Sequence, residues 1–96
     1  MHTDYQLAGE RLKQFRDSAF EKAWMFAHTL EMDAPSIHRY LRGESLLGGV
    51  KLILLYRVGC NITWYLTGEG SMYADNEAGQ NLALKHASLN KVPPPN

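Results

Sequence analysis

The sequence contains little cysteine: Cys60 is the only one in 96 residues. A single cysteine excludes an internal disulfide and a zinc site built from cysteines, and it fits a reducing compartment. The expected state of Cys60 is a buried and unreactive thiol. The four histidines do not place two imidazoles on one helical turn, so we predict no metal site; they are His2, His28, His38 and His86.

Long apolar runs are also missing. The longest, Leu52 to Tyr56, is far shorter than the roughly 20 residues that cross a bilayer. The first residues, Met1 to Leu7, lack the apolar segment of a signal peptide. We therefore expect a cytoplasmic protein with no membrane contact.

Neither sign of charge is in excess, since ten Lys and Arg balance ten Asp and Glu. A neutral chain is a mild argument against nucleic-acid binding, because phosphate contacts usually require surplus positive charge. Clustering can offset this, and Arg39, Arg42 and Lys51 fall close together. No nucleophile motif, glycine-rich phosphate loop or ligand cluster is present, so we expect neither an enzyme nor a cofactor.

What the sequence does contain is helical periodicity. A chain of this length fits one compact domain, and strand patterns are absent. Apolar spacing predicts six helical segments, and the sixth is weaker because Gly79 costs it about 1 kcal/mol relative to alanine. The predicted segments are Leu7–Phe15, Phe20–Leu30, a short helix between Asp33 and Gly43, Val50–Val58, a short helix between Asn61 and Gly68, and Ala74–Leu89.

Capping residues set the ends of these helices. Asp33 and Asn61 are expected N-caps, and Gly43 is expected to end the third helix. The fourth helix is apolar nearly all round, which predicts a central place in the core. Large side chains at helical spacing should also pack inside; they are Trp24, Met25, Trp64 and Tyr65.

The second and third helices are joined by only Glu31-Met32-Asp33, which predicts a steep crossing that presents the third helix outward. With these elements, residues 11–70 resemble the lambda-repressor-like helix-turn-helix family. The segments that carry the resemblance are Arg11-Leu12-Lys13 with Arg16, Phe26-Ala27, Leu30, Ile37, Tyr40, Arg42-Gly43 and, most specifically, Trp64-Tyr65-Leu66-Thr67-Gly68-Glu69-Gly70.

The resemblance implies an all-α, five-helix DNA-binding bundle, here with an additional C-terminal helical segment. We expect a helix-turn-helix domain over 1–73, a helical extension over 74–91 and a flexible, proline-rich tail over 92–96. The extension is expected either to pair with a second copy through Leu82, Leu84 and Leu89 or to fold back on its own bundle.

Two positions depart from the family pattern. Glu31 stands where the family usually has glycine, so a left-handed backbone there would cost of order 1 kcal/mol unless the turn is rebuilt. Lys22-Ala23 replaces the family's frequent Ser/Thr-Gln, which suggests that Lys22 contacts phosphate by charge alone.

The resemblance also implies the positions that would touch DNA. Base reading falls to the start of the third helix, where Arg39 can reach guanine and Ser36 can hydrogen-bond, while Ala34 and Pro35 offer only apolar contact. The complete base-reading set is Ala34, Pro35, Ser36, His38 and Arg39. The expected phosphate contacts are Lys22, Arg42 and Lys51.

The function expected on this basis is a sequence-specific transcriptional regulator, a phage-type repressor that binds double-stranded DNA as a homodimer on a palindromic operator. The alternative is a protein-binding adaptor that keeps the scaffold and has lost base reading. Its motivation is the Ala34-Pro35 pair, the neutral charge, and aromatic side chains beyond the needs of a small core, namely Trp24, Phe20 and Tyr56.

Overall fold

The computed structural model describes residues 4–90, with side chains up to residue 87. This part of the chain holds six α-helices and no strand, apart from one isolated antiparallel bridge between Cys60 and Tyr73. The helices are α1 (Asp4–Ala19), α2 (Ala23–Thr29), α3 (Ala34–Leu41), α4 (Val50–Arg57), α5 (Ile62–Thr67) and α6 (Glu77–Asn90). The all-α prediction is confirmed; the predicted tail, 92–96, lies outside the described residues.

Helix α1 is the centre of the packing and contacts α2, α3 and α5. Its buried side chains Ala8, Leu12 and Phe15 recur at intervals of four and three, so they form one face of the helix. The other buried hydrophobic residues of this core are Phe26, Ala27, Leu30, Ile37, Leu41, Leu47, Leu55, Cys60, Trp64 and Tyr65. The buried faces of α2 and α3 therefore pack against α1.

A close backbone approach joins α1 to the end of α3. A Cβ added at Gly9 would lie 2.7 Å from the Leu41 carbonyl oxygen and 2.8 Å from the Gly43 nitrogen. Contacts that short do not occur for real side chains, so α1 packs directly on the backbone that ends α3. This contact sets the position of the C-terminal end of α3.

The predicted start of the second helix at Phe20 is wrong. The Phe20 amide donates to the Arg16 carbonyl, 3.0 Å away, so Phe20 extends the hydrogen bonding of α1, and α2 begins only after Lys22, its extended N-cap. The Phe20 ring lies 6.4 Å from Phe15 and 5.3 Å from Phe26 between centroids. Phe20 therefore belongs to the core and is not a spare surface aromatic.

The predicted central position of the fourth helix is also wrong. Only Leu55 of α4 is buried, whereas Val50 and Ile53 are 64% and 51% exposed and Tyr56 is also exposed. The neighbours of α4 cover one side of it, so its apolar composition exceeds the face that they bury. Its outward residues recur every third position and form an apolar stripe.

The expected core aromatics divide in the same way. Trp64 and Tyr65 are buried as predicted, and Met25 is half-buried. Trp24 is 63% exposed, so its predicted core position is wrong. It lies in the first turn of α2, on the side opposite to buried Phe26.

The C-terminal segment folds back on the bundle where it begins. The Ala74 amide donates to the Gly59 carbonyl at 2.7 Å, and the Asn76 side chain joins the Tyr56 carbonyl, at 2.7 Å, to the Gly79 amide, at 2.8 Å. Further along α6, the bundle covers less of the helix.

Leu82 is half-buried and packs against the core, whereas Leu84 is 70% exposed. The side chain of Leu89 lies outside the described part. None of the helices in residues 4–90 combines the length and the apolar character needed to cross a membrane.

Candidate nucleic-acid interface

The turn between α2 and α3 is a Schellman motif, in which two amides after a helix return to carbonyls of its last turn. The Glu31 amide donates to the His28 carbonyl and the Met32 amide to the Ala27 carbonyl, both at 2.9 Å. Glu31 has φ of +56° and is the only non-glycine residue with positive φ in residues 4–90. The turn is therefore not rebuilt around Glu31; the glutamate adopts the left-handed conformation itself.

A basic side chain from α4 reaches this turn. The Lys51 Nζ donates to the Leu30 carbonyl at 2.8 Å and to the Glu31 carbonyl at 3.0 Å. Carbonyls at a helix C-terminus lack helical partners and carry partial negative charge, which an ammonium group satisfies. Sequence reasoning missed this role, because Lys51 lies about twenty residues beyond the carbonyls it caps.

The start of α3 is fixed by Asp33, as predicted. The Ser36 amide donates to the Asp33 carboxylate at 2.8 Å. Hydrogen bonds from the Ser36 side chain, and then from its amide, hold the pKa of Asp33 below its usual value. The Ser36 side chain is half-buried beside this cap.

The two faces of α3 differ sharply. Ile37 and Leu41 are buried against the core, and the predicted base-reading residues Ala34, Pro35, His38 and Arg39 are exposed. Positions 35, 38, 39 and 42 follow helical spacing and share one outer face. Among the side chains described up to residue 87, the Arg39 guanidinium has no hydrogen bond or ion pair.

The three predicted phosphate contacts lie in different settings. Lys22 is exposed at the N-cap of α2. Arg42 is exposed directly after α3, and its Nε bonds the Glu44 carboxylate at 2.5 Å. Lys51 is half-buried against the turn. Of these three side chains, only Lys22 presents a charge without a partner in the described part of the chain.

Acidic side chains accompany these basic ones. Within residues 21–51 the four basic side chains of Lys22, Arg39, Arg42 and Lys51 are matched by four acidic ones, Glu21, Glu31, Asp33 and Glu44. Exposed ion pairs contribute at most about 1 kcal/mol, so the Arg42–Glu44 pair is easily exchanged for another partner. The face carries a mixed charge and not a basic patch.

Cys60 and Tyr65 lie behind this face. Burial raises the pKa of the Cys60 thiol to about 12, so the thiol stays protonated near neutral pH. Burial also raises the pKa of Tyr65, whose hydroxyl accepts a bond from the Leu47 amide at 3.0 Å. No group of three or more His, Cys, Asp or Glu side chains within residues 4–90 is placed to hold a metal ion.

Comparison of the chain with protein-family models, with curated proteins and with solved structures finds no match. The resemblance to the lambda-repressor-like family accordingly stays a prediction.

Proposed function

We propose that this protein is a sequence-specific DNA-binding transcriptional regulator of the lambda-repressor-like kind, acting as a homodimer and not as an enzyme. One observation carries the proposal. Helix α3 is anchored by Ile37 and Leu41 on one face, and its opposite face is exposed and includes an unpaired Arg39 within the described side chains. A rigidly held helix with an open outer face has the width that the major groove of DNA accepts.

In the proposed complex, Arg39 donates two N–H groups from one edge of its guanidinium to guanine O6 and N7, the pairing that its geometry suits. Ala34 and Pro35 offer apolar contact to thymine methyl groups. His38 lies beside Arg39 on the exposed face. The 2.8 Å bond from Ser36 to the Asp33 cap is made by its backbone amide, so its half-buried hydroxyl is the group that would have to reach a base.

Phosphate contacts in this proposal come mainly from Lys22 and Arg42, with Arg42 exchanging Glu44 for a phosphate oxygen. Because acidic residues surround both, non-specific attraction to DNA should be weak. Binding should then depend strongly on the base sequence and be measurable chiefly at low salt.

The test is selection from a random pool of double-stranded DNA at several salt concentrations, followed by sequencing. We expect a palindromic motif, and Arg39→Ala should lower affinity for it by about tenfold. The matched control is Arg57→Ala, an exposed arginine at the end of α4, which should leave affinity unchanged. Absence of any retained motif, or equal losses from both variants, would contradict the proposal.

The proposed dimer needs a surface, and the outer part of α6 is where we place it. Leu84 is 70% exposed there, and residues 83–87 are all exposed. Sedimentation of the intact chain and of Leu84→Lys should show a dimer that the substitution weakens. A dimer unaffected by Leu84→Lys would move the pairing surface elsewhere.

A protein-binding adaptor is the second candidate, and the stripe on α4 favours it. Val50 and Ile53, together with Trp24 on α2, expose large apolar surfaces that no described residue covers. The mixed charge around α3 is also less adverse to a protein than to DNA. Under this hypothesis Ile53→Lys abolishes capture of a specific partner, whereas Arg39→Ala leaves capture intact; the reverse pattern favours DNA binding.

A further inference from the structure

We propose that Lys51 is a positioning residue, which holds the turn before α3 in its left-handed form and does not itself contact phosphate. The effect on DNA affinity rests on the function proposed above, whereas the effect on the turn does not. Three groups are involved: the Lys51 ammonium and the carbonyls of Leu30 and Glu31.

The backbone of Glu31 is in an unfavourable conformation. Its φ of +56° is unfavourable for any residue with a Cβ, because the side chain crowds the following carbonyl. The Schellman motif needs that conformation, since it is what turns the Met32 amide back to Ala27. A second interaction must therefore favour this turn over the alternatives open to glutamate.

Lys51 supplies that interaction. Its Nζ lies within 3.0 Å of two successive carbonyl oxygens, which both face it only when the Glu31 peptide is oriented as in this turn. The bonds are charge-assisted and lie at the negative end of the α2 dipole. Because Lys51 belongs to the first turn of α4, it also ties α4 to the turn that precedes α3.

The same geometry argues against a phosphate contact. An ammonium group has three N–H donors, and the two carbonyls already accept two of them. The side chain is half-buried between α4 and the turn. A phosphate would have to displace bonds on which the position of α3 depends.

The experiment compares the intact protein with Lys51→Met, with the double variant Lys51→Met/Glu31→Gly, and with Lys13→Met as a control. Lys13 is an exposed lysine on α1, so its variant removes the same charge away from the turn. The measurements are hydrogen exchange at the Glu31 and Met32 amides, and affinity for the selected DNA at two or more salt concentrations.

We expect Lys51→Met to lose protection at both amides and to bind DNA about tenfold more weakly, with an unchanged salt slope. Glycine at position 31 should restore protection and most of the affinity, since glycine adopts the left-handed form unaided. Lys13→Met should match the intact protein in exchange.

Unchanged protection together with a salt slope smaller by about one would identify a phosphate contact and overturn the proposal. Failure of Glu31→Gly to restore protection would overturn it as well. If the intact protein binds no DNA, the proposed function fails, and the exchange measurements still decide the role of Lys51. Should Lys51→Met not fold, Lys51→Gln, which keeps a neutral donor, must show intermediate protection; full protection would contradict us.

Discussion

The turn before α3 and the turn before α5 have the same construction in different surroundings. In the second, the Gly59 amide donates to the Tyr56 carbonyl at 2.9 Å and the Cys60 amide to the Leu55 carbonyl at 3.2 Å. These are the Schellman bonds already described around Glu31, and an N-cap follows one residue later in both turns. Two helix pairs in this chain therefore share one turn geometry.

The two turns differ in the elements that pack over them. A Cβ at Gly59 would lie 2.9 Å from the Gly79 nitrogen, so α6 packs directly on the second turn. Glu31 is exposed, and the side chain that supports it comes from Lys51. The helices that follow each bury two residues, but four of the eight residues of α3 are exposed against two of the six in α5. The local turn determines how two helices join, and the remaining chain determines which of them is available to a partner.

The largest effect should come from giving both turns the same residue. Gly59→Ala would place a side chain at a φ of +109° and create a backbone clash, which should lower the free energy of unfolding by about 3 kcal/mol. Glu31→Ala, at the equivalent position, should change it by less than about 0.5 kcal/mol, because a Cβ is already present. Chemical denaturation of both variants measures the difference. Equal losses would mean that the turns are not distinguished by their covering.

A smaller effect tests the buried helix α5. Its Tyr65 hydroxyl is the acceptor for the Leu47 amide, and Tyr65→Phe leaves that amide without this partner. We expect a loss of about 1–3 kcal/mol in the free energy of unfolding. Tyr40→Phe on half-buried α3 is the control, and it should cost less. The comparison is contradicted if the control variant is destabilised more.

A stabilising substitution should be available only in the exposed turn. Glu31→Gly removes the left-handed strain, and after the extra entropy of glycine in the unfolded chain we expect a gain of about 0.5–1 kcal/mol. Thermal unfolding of the variant against the intact chain measures it. A lower melting temperature would show that the Glu31 side chain has a stabilising contact that outweighs its strain.

The smallest expected difference is in how the two N-caps, Asp33 and Asn61, respond to acid. The folded-state pKa of Asp33 is lowered, so the stability from this cap is present above the unfolded pKa and is lost as pH falls through the folded one. Asn61 caps α5 with a carboxamide, which does not titrate. Amide NMR signals in an acid titration should move for Ser36 and not for Thr63, and Asp33→Asn should abolish the movement. Parallel movement of both signals would refute this.

Local features of this fold were predictable from sequence, and non-local ones were not. Both N-caps, Asp33 and Asn61, and the glycine end of α3 at Gly43 are confirmed, because capping depends on side chains within a few residues. The burial of Trp24 was mispredicted, because periodicity shows which residues share a face and not whether another helix covers it.

The candidate interface divides along the same line. The exposure of Arg39 on α3 followed from helical spacing, and its DNA contacts stay a prediction. The Arg42–Glu44 pair joins residues only two positions apart, whereas the capping role of Lys51 required three-dimensional positions. That role has no local sequence signature, since a lysine twenty residues away can point in any direction.

The Asn76 side chain has a practical consequence for shortened versions of this protein. One amide group spans two elements: its oxygen caps the first turn of α6 and its nitrogen binds the Tyr56 carbonyl of α4. A chain terminated before Asn76, at the boundary that the sequence suggests near residue 73, loses both bonds and uncovers Gly59. Deletion endpoints chosen to isolate the first five helices should therefore fall beyond Leu82, which still packs on the core.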